Sequence, residues 1–206
     1  MRSRPDGRRL GLIVLLAASL TPALAVVADD GHRERFGKGK RHVGLSLGAG
    51  TGFSLGFAGD GDGRNVDFFD LRPRFALGIS DDLGADEWYL GNFDLLLEGE
   101  FLFEFDGGSY QGVALLFRYN FLNGSRFFPF IEGGSGIGNL DFDLDDQDDG
   151  VSFSPQGGVG FHYFVGERLS LGAAARYHHI SNAGTHHPNN SINDFTFTAS
   201  LSYFLD

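Results

Sequence analysis

The sequence predicts an all-β fold, an eight-stranded antiparallel transmembrane β-barrel with both termini in the periplasm. Three observations predict it. The chain opens on an export signal, eight segments alternate apolar and polar residues, and the polar face of those segments gathers acids and bases beside glycines.

The export signal comes first. Arg2, Arg4, Arg8 and Arg9 precede an apolar run from Leu10 to Leu20, and Ala23-Leu24-Ala25 supplies the small residues of a cleavage site. The run is too short to span a bilayer as a helix, and Pro22 follows almost at once. Residues 1–25 are therefore expected as a signal peptide, with Ala28 as the alternative cleavage position. No later stretch offers roughly 18 consecutive apolar residues, so no transmembrane helix is expected in the mature chain. The leader carries four arginines and one aspartate, so the mature protein is more acidic than the −11 of all 206 residues. Such a chain is a poor partner for nucleic acid, whose binding rests on phosphate contacts. Without cysteine, an exported protein must be held by sheet closure or burial rather than by disulfides.

Residues 26–41 follow as a periplasmic N-terminal tail, charged from Asp29 to Arg41 and without periodicity. The barrel is expected over 42–206, where period-two alternation marks half-buried strands. In the first, Val43, Leu45, Leu47 and Ala49 alternate with Gly44, Ser46, Gly48 and Gly50. In the second, Phe69, Leu71, Phe75, Leu77 and Ile79 alternate with Asp70, Arg72, Arg74, Ala76 and Gly78. Phe93, Leu95, Leu97, Phe101 and Phe103 then alternate with Asp94, Glu98, Glu100 and Glu104. Val113, Leu115, Phe117, Tyr119 and Phe121 do so with Gly112, Ala114, Arg118 and Asn120. Weaker versions follow around 127–138 and 151–164, and the last two strands run Leu169 to Ser181 and Ile192 to Leu205.

The polar partners decide the class. A soluble sandwich turns its polar face to bulk water, whereas here charges of both signs sit among small residues, as in a lumen filled by ion pairs. In lipid every backbone group must be paired, which strands achieve by closing into a barrel. The 32 glycines fall inside the alternating segments, where a crowded interior favours them, and the 22 phenylalanines suit a lipid-facing surface. The rival fold is a secreted β-sandwich or lipocalin-like barrel.

Loop lengths give the topology. Asn123-Gly124 and Val165-Gly166-Glu167 read as tight periplasmic turns, and Gly59 to Asn65, Asp141 to Gly150 and Asn182 to Ser191 as longer outer loops. Two connections fit less well: Asp106 to Tyr110 is short for an outer loop, and Asp81 to Glu87 is long for a periplasmic turn. The chain also ends Phe204-Leu205-Asp206 rather than on an aromatic residue.

The stretch from Tyr177 to Asn193 differs in kind. On strand parity His179 and Ser181 face outward with Tyr177, and the outward set of the last strand, followed back from Phe197 and Phe195, reaches Asn193. A histidine and a serine two apart on one face are neighbours, so the imidazole is placed to take the hydroxyl proton. Polar groups against lipid cost free energy, while at headgroup level they are ordinary.

This segment resembles the lipid A 3-O-deacylase (PagL-type) family of outer-membrane barrels. The resemblance lies in His179-x-Ser181-Asn182-Ala183-Gly184, then Pro188-Asn189, then Ile192 before the final site position. It implies Ser181 as nucleophile, His179 as general base and position 193, twelve after the serine, as the residue that orients the histidine. The family places Glu there and this chain has Asn193. An amide can hold an imidazole by hydrogen bonding, as in papain-like Cys-His-Asn sites, but cannot stabilise imidazolium by charge. Asn182, Asn189 and the N–H groups of Ala183 and Gly184 are the expected oxyanion donors. The substrate implied is lipid A, the lipid of outer-leaflet lipopolysaccharide, and no cofactor is expected.

Other readings stand beside this one. His178, His179, His186 and His187 suggest a metal, but adjacent histidines on a strand point to opposite faces, so no metal site is expected. The runs Asp60-Gly61-Asp62-Gly63 and Asp141 to Asp149 lack EF-hand spacing and read as solvated acid. Gly133-Gly134-Ser135-Gly136 opens no helix and is no phosphate loop. In function, the alternatives are a non-catalytic structural or binding barrel and a phospholipase-like esterase. A homodimer would shield part of the polar rim, though nothing in the sequence argues for one.

Overall fold

The computed structural model describes residues 31–54, 65–142, 147–189 and 191–205. The expected signal peptide and most of the first outer loop lie outside the described residues, as do parts of the Asp141 to Asp149 run. Eight strands follow in order: β1 (Arg41–Ser54), β2 (Asn65–Gly78), β3 (Gly91–Glu104), β4 (Ser109–Phe121), β5 (Phe127–Asp141), β6 (Gly150–Phe164), β7 (Leu169–Ile180) and β8 (Ile192–Phe204). Each pairs antiparallel with the next, and β1 closes on β8 through a register from His42↔Phe204 to Ser54↔Ile192. Closure leaves no open sheet edge, the one way a sheet can sit in hydrocarbon. All eight expected strands are present and most are longer than expected. β5 gains three residues at its far end, and β7 stops at Ile180, leaving Ser181 as an isolated bridge.

Burial is inverted relative to a soluble protein. The alternating apolar residues face outward and are exposed, Leu97 at 55%, Phe117 at 53% and Phe197 at 67%, while the charged residues between them are buried. Inside, Arg72 Nε donates to Asp70 at 2.8 Å and its Nη1 to Glu100 at 3.0 Å. Arg74 and Arg176 both bond Glu98, at 2.7 and 2.5 Å. Arg176 reaches on to Glu132 at 2.5 Å, which Arg118 holds from the other side at 2.7 Å. These pairs tie β2, β3, β4, β5 and β7 across the lumen. A buried charge is tolerated only with such partners. The crowding explains glycine within strands: a Cβ on Gly136 would stand 2.4 Å from both Glu100 and Ser154.

Apolar plugs seal both ends of this polar belt. At the end distant from the termini Val66, Phe68, Leu102, Tyr110, Leu140, Phe142, Ile180 and Ile192 close together. At the other, Leu90, Leu122, Phe128, Phe164 and Phe204 surround Phe36. Phe36 comes from the segment ahead of β1. A short 3-10 turn, Arg33–Arg35, leads Phe36 into the barrel end, and both His32 ring nitrogens bond backbone carbonyls, those of Ser125 and Gly166, at 3.2 Å. One buried aromatic in a charged segment, with no period to announce it, gives sequence reading nothing to detect.

Candidate active site

The site is built where β7 ends and β8 begins, at the end distant from the termini. The β7–β8 register puts His179 directly opposite Asn193 and His178 directly opposite Asp194. Because successive side chains alternate faces, the first pair lies on the outer surface and the second in the lumen. His178 Nδ1 meets Asp194 at 3.2 Å with both side chains fully buried, and Thr196 donates to the same carboxylate at 2.9 Å. Of the four histidines weighed for a metal, His178 points inward, His179 outward, and His186 and His187 are exposed in the β7–β8 loop.

On the outer face His179 Nδ1 donates to Asn193 Oδ1 at 2.8 Å. An amide oxygen only accepts, so in the neutral imidazole the ring proton sits on Nδ1 and Nε2 keeps its lone pair. Asn193, an outward residue, is only 6% exposed. Tyr177 covers it, donating its hydroxyl to the same Oδ1 at 2.5 Å, and the Tyr177 ring leans on Phe195 at 5.3 Å between centroids.

Ser181 follows on the same side, roughly 7 Å of strand rise beyond His179. Its backbone is fixed to β6 in both directions: Ser181 N–H donates to Phe153 O at 3.0 Å, and Phe153 N–H to Ser181 O at 2.7 Å. No hydrogen bond between the Ser181 hydroxyl and the His179 ring is among the contacts of the described residues. Catalytic hydrogen bonds are often long without substrate.

The loop past Ser181 is organised by Asn182, which is 2% exposed. Its Oδ1 accepts from Gly184 N–H at 2.9 Å, its Nδ2 donates to His186 O at 3.1 Å, and its N–H donates to Asn189 Oδ1 at 3.1 Å. These bonds hold Ala183 and Gly184 at φ 55° and 76°. The left-handed conformation costs an alanine about 1–2 kcal/mol, so a well-bonded loop is needed to keep it. Of the expected oxyanion donors, Gly184 N–H is occupied by Asn182, and both donor groups of Asn182 are used within the loop. Among the described residues the Ala183 N–H and the Asn189 amide nitrogen donate no hydrogen bond within the loop.

Two residues of this neighbourhood were not singled out from sequence. Tyr177 lies two before His179 on the same outward face, and that spacing was the available signal. Gln147, in the β5–β6 connection, accepts from Ser191 N–H at 2.9 Å and pairs with Asn189 in a short bridge, while Asp148 N–H reaches Pro188 O at 2.9 Å. An acidic, aperiodic run carries no sign of such a clamp.

Several solved structures share this barrel fold. Neisserial surface protein A superposes with a TM-score of 0.57 at 12% identity, covering 79% of this chain and 96% of that one. The outer membrane enzyme PagL gives 0.54 at 20% identity, over 77% of this chain and 97% of that one. The N-terminal β-barrel domain of Pseudomonas aeruginosa OprF gives 0.50 at 14% identity, over 82% and 100%. At these identities the likeness is one of fold. No curated protein sequence matches the chain significantly. The profile of the family described as lipid A 3-O-deacylase (PagL) matches residues 68–202, more than half of the chain, a span that includes His179, Ser181 and Asn193. An eight-stranded outer-membrane-type barrel carrying this segment at the β7–β8 rim belongs to the lipid A 3-O-deacylase (PagL) family.

Proposed function

We propose that this protein is an outer-membrane esterase that hydrolyses an ester-linked acyl chain of lipid A, at the 3-O position, by a Ser-His mechanism. The observation that carries the reading is the 2.8 Å bond from His179 Nδ1 to Asn193 Oδ1, which leaves Nε2 basic on the face that Ser181 shares. His179 Nε2 takes the Ser181 hydroxyl proton as Oγ attacks the ester carbonyl. The carbonyl oxygen becomes an oxyanion held by donors of the 182–189 loop, with Ala183 N–H and the Asn189 amide the ones not engaged within it. Collapse breaks the ester bond, and the proton on Nε2 passes to the departing sugar hydroxyl. Water, giving its proton to His179, then attacks the acyl-enzyme, and His179 passes that proton to Ser181 Oγ as the fatty acid leaves.

The membrane arrangement suits this substrate. The export signal and the barrel fold together support an outer-membrane location, and both termini, with the four-residue turn 165–168, belong on the periplasmic side. The β7–β8 rim then faces the outer leaflet, where lipid A resides, so its acyl chain meets Ser181 without leaving the bilayer.

The test is release of free hydroxy fatty acid from lipopolysaccharide by the purified protein in detergent micelles. Wild-type protein is expected to release it and Ser181→Ala to lose at least about a thousandfold in rate, as nucleophile removal does in serine hydrolases. Release from glycerophospholipid instead would make the enzyme a phospholipase. No release from either, with the barrel folded, would make it a non-catalytic barrel.

A further inference from the structure

An orienting glutamate is symmetric about its carboxylate, so either oxygen can accept the imidazole proton. An asparagine is not. Turned end for end, Asn193 would present Nδ2 to His179 Nδ1, the remaining ring proton would move to Nε2, and the base would be gone. Asn193 therefore needs a second contact that a glutamate would not. The structure supplies it in the Tyr177 hydroxyl, 2.5 Å from the same oxygen that accepts from His179. Asn193 is 6% exposed and Tyr177 lies against Phe195, so the three groups form one packed unit on the outer face. A phenol donating into Oδ1 fixes the amide oxygen, and not the amide nitrogen, toward both rings. Turned, the amide would offer Nδ2 to the phenol oxygen, which can accept it, but the phenol proton would lose the acceptor it has now, and an unmade hydrogen bond is costly.

We infer that Tyr177 is a positioning residue: it locks the Asn193 amide so that His179 is held in the Nδ1–H tautomer, and so lets asparagine stand where the family's glutamate stands. It touches neither substrate nor reacting atoms. The catalytic consequence rests on the esterase reading above, whereas the tautomer itself does not.

The test uses the full-length barrel in detergent micelles with nitrogen-15-labelled histidine. The His179 ring signals are assigned by their loss in His179→Gln. Wild-type His179 is expected wholly as the Nδ1–H form, Tyr177→Phe as a mixture containing the Nε2–H form, and Tyr177→Phe with Asn193→Glu as Nδ1–H again. In deacylation assays Tyr177→Phe should lower kcat about tenfold, the worth of one net hydrogen bond, with KM unchanged. Beside Asn193→Glu the same change should cost less than about twofold, because the symmetric carboxylate needs no second contact. A His179 tautomer unmoved by Tyr177→Phe overturns the inference, and so does an equal loss of kcat in both backgrounds. If wild-type protein deacylates nothing, the esterase reading fails and the tautomer measurement alone decides the role of Tyr177.

Discussion

Asn193 stands twelve residues after Ser181, where the family resemblance calls for a glutamate, and its Oδ1 takes the His179 proton at 2.8 Å. Geometry is thus retained while charge is not. In the proposed reaction the imidazolium meets an amide dipole instead of a carboxylate, and ionised hydrogen bonds are roughly twice as strong as neutral ones. Asn193→Glu is accordingly expected to raise kcat by about tenfold, and Asn193→Ala to lower it by a similar factor, both read as hydroxy fatty acid release with KM unchanged. Much of this was legible in the sequence. Period-two parity placed His179, Ser181 and Asn193 on one face, since a strand's side chains have no third direction to take. The second donor to Asn193 Oδ1, the Tyr177 hydroxyl, was not legible, because parity gives a face but not which hydroxyl reaches which oxygen.

The β7–β8 connection, eleven residues long, is held in shape by its own side chains and by a neighbouring loop. Asn182 bonds Gly184, His186 and Asn189, and Gln147 grips Ser191 from the neighbouring connection. Ser191 is two residues from Asn193, so the clamp sets the start of β8. Gln147→Ala should leave the barrel's urea unfolding midpoint unchanged and reduce kcat/KM about fivefold, one net hydrogen bond's worth of loop order. A fall in unfolding stability instead would show the clamp to be part of the barrel itself. At this scale sequence reading divides sharply. The strands announced themselves by alternation, and β7 and β8 lie within a residue of expectation. The clamp and the Phe36 turn came from aperiodic charged segments, where a contact depends on what the closed barrel brings near.

Across the whole molecule the same alternation does two jobs: it exposes Phe, Leu and Val to lipid and stacks Arg against Glu within. The lumen works as a packed polar core between apolar plugs, which gives the rim a stiff foundation. Arg176 bonds both Glu98 and Glu132 at 2.5 Å with 5% of its side chain exposed. Arg176→Leu leaves two buried carboxylates short of a partner and should cost about 3–5 kcal/mol of unfolding free energy, measured by urea titration in lipid vesicles. Arg33 bonds Asp82 at 2.7 Å, but with 42% and 37% of the side chains exposed. Arg33→Ala should cost less than about 1 kcal/mol in the same titration. The ion-paired lumen was readable from Asp70, Arg72, Arg74, Glu98, Glu100 and Arg118 as residue types. The partner of each was not, because pairing across the barrel depends on strand stagger. Mass spectrometry of lipid A from cells making the protein, beside cells making Ser181→Ala, decides whether this barrel carries the proposed lipid A esterase. Lipid A lighter by one hydroxyacyl group is expected in the first and intact lipid A in the second; lipid A intact in both, with the barrel folded in the outer membrane, would rule the esterase out.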